Sequence, residues 1–184
     1  VSFAAREAFR PPPGSACAEA IEALRGRSVR VAVIAFVISR RLKTVGKPEE
    51  AMLAGLLHSV GRFYVYTRAA AHPALFADGG ALEALVQDWH SGVARAIVEA
   101  WGFPEAIAHA VCEQETDRRD RRGQPTIGDV LYVAMDVTSV LEDPDRDLAN
   151  SDALARLRLD AADLAEILRD LDPVIRAMIT NLGG

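Results

Sequence analysis

The residues best suited to chemistry in this sequence are its four histidines, because an imidazole can bind a metal or carry a proton near neutral pH. His72 precedes a proline in a predicted loop and His109 lies in a short helical pattern, so we expect both at the surface. His58 and His90 each lie beside an apolar stripe, where a buried imidazole needs a hydrogen-bond partner. From the residues alone, these two could be core histidines, metal ligands or proton carriers.

A hydrolytic metal site also needs carboxylates beside the imidazoles, since hard cations prefer oxygen ligands. The next residue supplies none, because Ser59 follows His58 and Ser91 follows His90. We also expect that Ser59 and His58 do not form a nucleophile–base pair, because neighbouring helix positions point about 100° apart. The sequence contains no HExxH, P-loop, GxGxxG or GxSxG motif.

The helix that carries His58 is predicted over residues 48–60, with a glutamate pair in its first turn. Its apolar residues Leu53, Leu56 and Leu57 are predicted to form the buried stripe. His58 would then lie next to that stripe, late in the helix.

The other elements are also predicted to be helices, because apolar residues recur at helical spacing along most of the chain. A helix over 15–25 should end at Gly26, before a very apolar helix over 28–45. A helix over 82–100 carries His90, with Val93, Ile97 and Trp101 as its apolar stripe. Further helices are predicted over residues 1–9, 62–70, 104–114, 127–141, 151–157, 160–171 and 173–182, with caps at Gly46, Thr126 and Asn150 or Ser151, and a charged loop over 115–124.

The composition favours one all-α, multi-helix globular domain over residues 1–184. Half the residues are apolar and only 6% are aromatic, which suits closely packed helices better than sheets. A net charge of −5 argues against nucleic-acid binding, which depends on clustered positive charge. No stretch approaches the ~18 apolar residues of a membrane span, so we expect no membrane partner. Cys17 and Cys112 lack zinc-site spacing, and we expect two buried thiols in a reducing cytoplasm.

Three stretches of the sequence carry a family resemblance. Residues 54–62 (AGLLHSVGR) are similar to a segment aGLLHDiGk, and residues 24–29 (LRGRSV) to a helix start LWxHS. Residues 89–104 resemble the signature HxxxGxxLxxxWxLP, with Ala94 where the glycine would stand. Together they resemble the HDOD group, the HD-related output domains of bacterial signalling proteins within the HD superfamily of metal-dependent phosphohydrolases. The resemblance covers about residues 20–140 and implies a further helical lobe that would precede Val1.

The departures from the family pattern bear on the metal. In catalytic HD enzymes a histidine on the first long helix, a His-Asp pair and a later aspartate hold the metal. Here Arg27 stands at or near the first position, Ser59 replaces the paired aspartate, and Asp136 is the counterpart of the later aspartate. Residues 114–115 (QE) stand where the family often has two histidines. A guanidinium repels a dication and a serine cannot bridge metals as a carboxylate does, so we expect no metal, no cofactor and no catalytic residue.

The resemblance with these departures predicts a non-catalytic, HDOD-type regulatory domain of signal transduction. It would bind a signalling protein, a fused sensor or output domain, or a small ligand such as a nucleotide or phosphate. The pocket left from the catalytic site, here named the relic pocket, is predicted to be lined by Arg27, His58, Ser59, Arg62, His90 and Asp136. Arg27 would pair with Glu115 or Asp136, or bind phosphate. The alternatives are a residual metal-dependent phosphohydrolase or cyclic-dinucleotide phosphodiesterase, and nucleotide binding without turnover.

Overall fold

The elements of the structure are helices, as the spacing of the apolar residues predicts. The computed structural model describes residues 17–42, 44–72, 74–77, 79–115, 122–143, 145 and 151–182, and no strand is found among them. In chain order the helices are α1 (Cys17–Leu42), α2 (Pro48–Leu57), α3 (Val60–Ala69), α4 (Ala74–Ala77), α5 (Gly79–Ala100), α6 (Glu105–Cys112), α7 (Ile127–Glu142), α8 (Asp152–Leu157) and α9 (Ala161–Leu182). The predicted all-α class is confirmed, and the predicted helix over 1–9 lies outside the described residues.

Helix α1 forms the centre of one hydrophobic core. Its 26 residues are apolar on most sides, and the run from Val31 to Ser39 is buried except for Phe36. Helices α2, α3, α7 and α9 pack against it, while α5 packs against α3 and α6 at one end of the domain. A smaller apolar cluster joins α3 to α5 through Val65 and Val86. The four helices that pack around α1, with α5 and α6 beside them, therefore form a single helical domain.

Two predicted helix breaks are wrong. Helix α1 runs through Gly26 without interruption, and α9 continues through Pro173 to Leu182. A glycine inside a helix costs only about 1 kcal/mol relative to alanine, which burial of the rest of α1 outweighs. Proline removes a single backbone donor, so a helix of strong periodicity can continue past it with a local distortion.

The predicted apolar stripes of α2 and α5 are also partly wrong. Leu56 is 39% exposed, and α2 buries the smaller residues Ala51, Ala54 and Gly55 with Leu57. On α5, Trp101 is 44% exposed. The buried face of that helix is formed by Leu82, Val86, His90, Ala94 and Val98. Small residues face inward on α2 because the backbone of α1 lies too close to that face for large side chains.

Two glycines mark these close helix contacts. A Cβ atom at Gly55 would lie 2.5 Å from the Cα of Ala32 on α1. A Cβ atom at Gly61 would lie 1.8 Å from the backbone oxygen of His90 on α5. Because these neighbours are backbone atoms, they cannot move aside without moving a helix. The two glycines therefore fix how closely the His58 segment, which lies between them, approaches α1 and α5.

Helix ends and one buried ion pair fix the remaining elements. Helix α1 ends at Leu42, so Gly46 does not cap it as predicted, although Gly46 has a positive φ of 61° in the connection to α2. Thr126 and Ser151 cap α7 and α8 through their side chains, as predicted. Arg156 of α8 is buried and places its Nε and one terminal nitrogen 2.9 and 2.7 Å from a carboxylate oxygen of Asp129 on α7. Because both charges are shielded from water, this pair holds α8 against the start of α7.

The structure also bears on the thiols and on membranes. None of the described helices is long and apolar enough to span a membrane. Cys17 is buried as expected, whereas Cys112 is only half-buried, and no disulfide joins the two. The cytoplasmic location stays a prediction.

Replacing Gly55 by alanine tests the close contact between α1 and α2. We expect Gly55→Ala to lower the free energy of unfolding by roughly 1–3 kcal/mol, because the new methyl overlaps the α1 backbone. Gly92→Ala on the exposed face of α5 is the matched control, since no atom lies within 4 Å of its Cβ position. It should stabilise the helix by about 0.5–1 kcal/mol. Equal denaturant midpoints for the two variants would contradict the packing described for Gly55.

Candidate functional site

The site is built around the turn between α2 and α3. Helix α2 ends at Leu57 and α3 begins at Val60, so His58 and Ser59 occupy the junction of two helices and not one continuous helix. This bend brings Oγ of Ser59 to 2.8 Å from Nε2 of His58. The expectation that these neighbouring side chains point apart is therefore wrong.

The hydrogen bonds of His58 determine its tautomer. Nδ1 lies 2.6 Å from the backbone oxygen of Gly55, and a carbonyl oxygen can only accept a hydrogen bond. The proton of the neutral ring is therefore on Nδ1, and Nε2 carries the lone pair. The hydroxyl of Ser59 then donates to Nε2. Both nitrogens of the ring have partners within the protein.

Burial keeps this imidazole neutral. Only 4% of His58 is exposed, and Ser59 is fully buried. Loss of solvation lowers the pKa of His58 from 6.5 to about 4. This pKa of about 4 also includes the lowering effect of the Arg27 and Arg62 charges and the opposing effects of the Gly55 carbonyl and the Glu115 carboxylate. A neutral His58 at physiological pH is consistent with the hydrogen bonds at both nitrogens.

Glu115 connects two of the predicted site residues. One carboxylate oxygen lies 2.7 Å from a terminal nitrogen of Arg62 on α3, and the other lies 3.3 Å from Nε2 of His90 on α5. The hydrogen bond from His90, with a further one from Arg62, lowers the pKa of Glu115 to about 2 although partial burial raises it. Glu115 is therefore a carboxylate that joins α3 to α5 through these two side chains.

Gln114, which precedes Glu115, supports His58. Gln114 is buried, and its Nε2 donates to the backbone oxygen of His58 over 2.8 Å. The pair Gln114-Glu115, which stands where two histidines would be expected from the family pattern, thus holds His58 through its backbone and His90 through its ring. Neither residue was among the predicted lining residues. The departure from the family pattern at these two positions was the signal that could have indicated them.

Arg27 is held by α7 and not by Glu115, which lies after the end of α6. Its guanidinium pairs with Glu142 and donates to Oγ of Ser139 over 2.9 Å, both on α7. Arg30 pairs with the same glutamate. The suggested pair with Glu115 is wrong, because that carboxylate bonds Arg62 and His90 instead. Asp136 is half-buried on α7, and its part in the pocket stays a prediction.

The structure thus brings most of the predicted residues together in two linked groups. His58 and Ser59 are in direct contact, and Arg62 and His90 are joined through Glu115. Arg27 is close enough for its charge to lower the pKa of His58.

A metal ion implied by the superfamily does not fit these donors. Nε2 of His58 is the only lone pair that the ring could offer, and it accepts from Ser59. Nε2 of His90 points at Glu115, and that carboxylate is also bonded by Arg62. Across the described part of the chain, no group of three or more histidine, cysteine, aspartate and glutamate side chains is placed to hold one metal ion. Ser59 also cannot serve as a nucleophile in this state, because its hydroxyl is fully buried.

Fold and site together define an all-α domain in which His58 and His90 are both held by hydrogen bonds to other groups of the protein. The model of the HDOD domain family matches residues 1–116, more than half of this chain, and the chain belongs to the HDOD family. No curated protein matches it.

The fold is also that of a crystal structure from Shewanella amazonensis SB2B, named "Putative metal-dependent phosphohydrolase". The TM-score is 0.66 and the sequence identity is 21%. The likeness covers 85% of this chain and 55% of that one, so this chain spans little more than half of that protein's length. At this identity the likeness establishes the fold alone.

Removing the Ser59 hydroxyl tests its role as the donor to His58. We expect Ser59→Ala to lower the free energy of unfolding by about 1–3 kcal/mol, because Nε2 of a buried ring loses its hydrogen bond. Ser28→Ala is the control, since the Ser28 hydroxyl bonds the Leu24 carbonyl one turn earlier in α1. That carbonyl keeps its helical backbone bond and alanine is a better helix former than serine, so the change should stay within about 0.5 kcal/mol in urea unfolding. A loss no greater for Ser59→Ala than for Ser28→Ala would show that the hydroxyl is dispensable.

The lowered pKa of His58 predicts acid sensitivity. Between pH 6.5 and about 4 the unfolded chain binds a proton at this residue that the folded chain does not. Stability should therefore be complete above pH 6.5 and fall as the pH drops toward 4, by on the order of 3 kcal/mol from this group. His58→Gln should remove this part of the pH dependence, measured as the difference between the two urea-unfolding profiles. Parallel profiles for the two proteins would mean that His58 titrates alike in both states.

Proposed function

We propose that this chain is a non-catalytic HDOD-type regulatory domain that acts in signal transduction by binding a partner. The observation that carries the proposal is the hydrogen bond from Ser59 to Nε2 of His58. In that arrangement the imidazole lone pair that a metal would need is used inside the protein. A serine at this position completes the hydrogen bonding of the histidine without a cation.

The charges around His58 support the same proposal. A dication in this region would face the guanidiniums of Arg27 and Arg62, which already lower the pKa of His58. Each guanidinium has a carboxylate partner, Glu142 for Arg27 and Glu115 for Arg62. The positive charge that a metal would supply to nearby carboxylates is thus supplied by arginines.

The partner we propose is a signalling protein or a fused sensor or output domain in the cytoplasm. A nucleotide or a phosphate is the small-ligand candidate, because arginines are suited to bind phosphate oxygens. The side chains of Arg27 and Arg62 are 27% and 20% exposed, so an anion could reach either of them from solvent.

Metal content and turnover test the proposal directly. Elemental analysis by inductively coupled plasma mass spectrometry should find no stoichiometric transition metal in the purified protein. With Mn²⁺ or Mg²⁺ added, it should hydrolyse neither phosphomonoesters nor cyclic dinucleotides, and His58→Ala should give the same background. Ser59→Asp, which restores the carboxylate of the family pattern, is the informative variant and should bind Mn²⁺ more tightly than the wild type in calorimetry.

Two results would change the proposal. Metal-dependent turnover that disappears in His58→Ala would replace it by the phosphohydrolase alternative. Without turnover, a nucleotide that raises the melting temperature of the wild type but not of Arg27→Ala would identify the partner as a small anion, because a ligand of the native state stabilises it. If no nucleotide raises the melting temperature, the proposed partner is a protein.

A further inference from the structure

A groove of about 490 Å³ lies between α3, α4 and α5, outside the relic pocket. Its rim carries two exposed aromatic residues, Trp89 (60% exposed) and Tyr64 (37% exposed). Its lining is mostly apolar and consists of Tyr64, Val65, Thr67, Arg68, Ala69, Ala71, His72, Leu75, Leu85, Trp89 and Val93. A groove of this volume with a mostly apolar lining has the size and character of a binding site.

The groove exists because α5 has two apolar stripes. One stripe, which includes Val86 and Ala94, is buried against the rest of the domain. Leu85, Trp89 and Val93 are spaced four residues apart and therefore share another face of α5, and they line the groove. No described helix covers Trp89, the largest of the three. An apolar stripe that the fold leaves exposed is available to bind another molecule.

The charges that line the groove indicate the charge of the molecule that binds there. The described residues of its lining include the basic residues Arg68 and His72 but no aspartate or glutamate, although the whole chain has a net charge of −5. The guanidinium of Arg68 stacks over the ring of Tyr64 at 5.3 Å, and its Nε donates to the Tyr64 hydroxyl over 3.3 Å. Arg68 is thus fixed at the rim, and none of the described lining residues opposes it with a carboxylate, so its charge complements an acidic occupant.

The shape of the groove favours a helix as the occupant. The stripe from Leu85 to Val93 spans nine residues, or about 12 Å of helix axis, which matches two turns of a second helix. Peptides that bind as strands need a sheet edge, and the described part of the chain offers none. An amphipathic helix can place apolar residues at i, i+4 and i+7 against such a stripe.

We propose that this groove binds an acidic amphipathic helix of a partner protein. Its apolar face packs on Leu85, Trp89 and Val93, and its carboxylates face Arg68. The groove is adjacent to the relic pocket, because Trp89 precedes His90 and Tyr64 follows Arg62 by two residues. A bound helix therefore contacts the two helices that Glu115 joins. The proposal goes beyond the regulatory function above, and its test reads binding alone, so either can fail without the other.

A display library of amphipathic helical peptides, randomised in the charge of the polar face, tests the proposal. The selected peptides should be rich in Asp and Glu, and their binding should weaken as salt is added. Trp89→Ala and Arg68→Glu should each weaken the best peptide at least about tenfold in fluorescence titration. The matched controls are Trp101→Ala and Arg95→Glu, which change an exposed tryptophan and an exposed α5 arginine that do not line the groove. Both should bind as the wild type does.

Other outcomes overturn the proposal. Selection of basic peptides, of peptides that bind Trp89→Ala as tightly as the wild type, or of none at all would contradict an acidic helix in this groove. Light scattering identifies a further alternative. If the wild-type chain is a dimer that Trp89→Ala converts to a monomer, the occupant is a second copy of this chain and not a partner protein.

Discussion

The neutral imidazole of His58 is the group on which the arrangement of the site depends. Its Nδ1 proton is bonded to the Gly55 carbonyl, which leaves Nε2 as an acceptor inside a region that water does not reach. A buried acceptor needs a donor, and the next residue of the chain supplies one. Ser59 and His58 therefore satisfy each other, and the rest of the site is arranged around a pair that needs no ligand.

The geometry of that pair follows from close packing of helices. Gly55 allows α2 to touch the backbone of α1, and Gly61 allows α3 to touch the backbone of α5. The turn between the two glycines holds His58 and Ser59, and the tight contacts on both sides leave it few alternative positions. The link through Arg62, Glu115 and His90 then joins α3 to α5 by charge as well as by packing. This combination makes the site a structural junction of the domain.

Several parts of the account could be predicted from the sequence. The helical class followed from apolar spacing, and the cap at Thr126 followed from its side chain and position. The sequence also showed that a serine, Ser59, and not a carboxylate follows His58. These features depend on local sequence, or on one residue type at one position.

The parts that failed depend on contacts between distant segments. The break predicted at Gly26 did not occur, because burial of α1 outweighs the cost of one glycine. Ser59 was expected to point away from His58. No local rule indicated that α2 ends just before these two residues, which places them in a turn. The partners of Arg27 lie more than a hundred residues away on α7, and spacing along the chain cannot specify such a pair. The Trp89 groove was missed because the apolar stripe of α5 was assigned to the wrong face.

The state of the His58 ring is the most direct measurement of the central claim. Long-range ¹H–¹⁵N correlation spectra of ¹⁵N-histidine-labelled protein at neutral pH report which ring nitrogen carries the proton. We predict a neutral ring, protonated at Nδ1 and accepting a hydrogen bond at Nε2, whose spectrum does not change when Zn²⁺ is added. A ring protonated at Nε2, or a shift of the Nε2 signal on stoichiometric Zn²⁺ binding, would contradict the claim that Ser59 has taken the place of the metal.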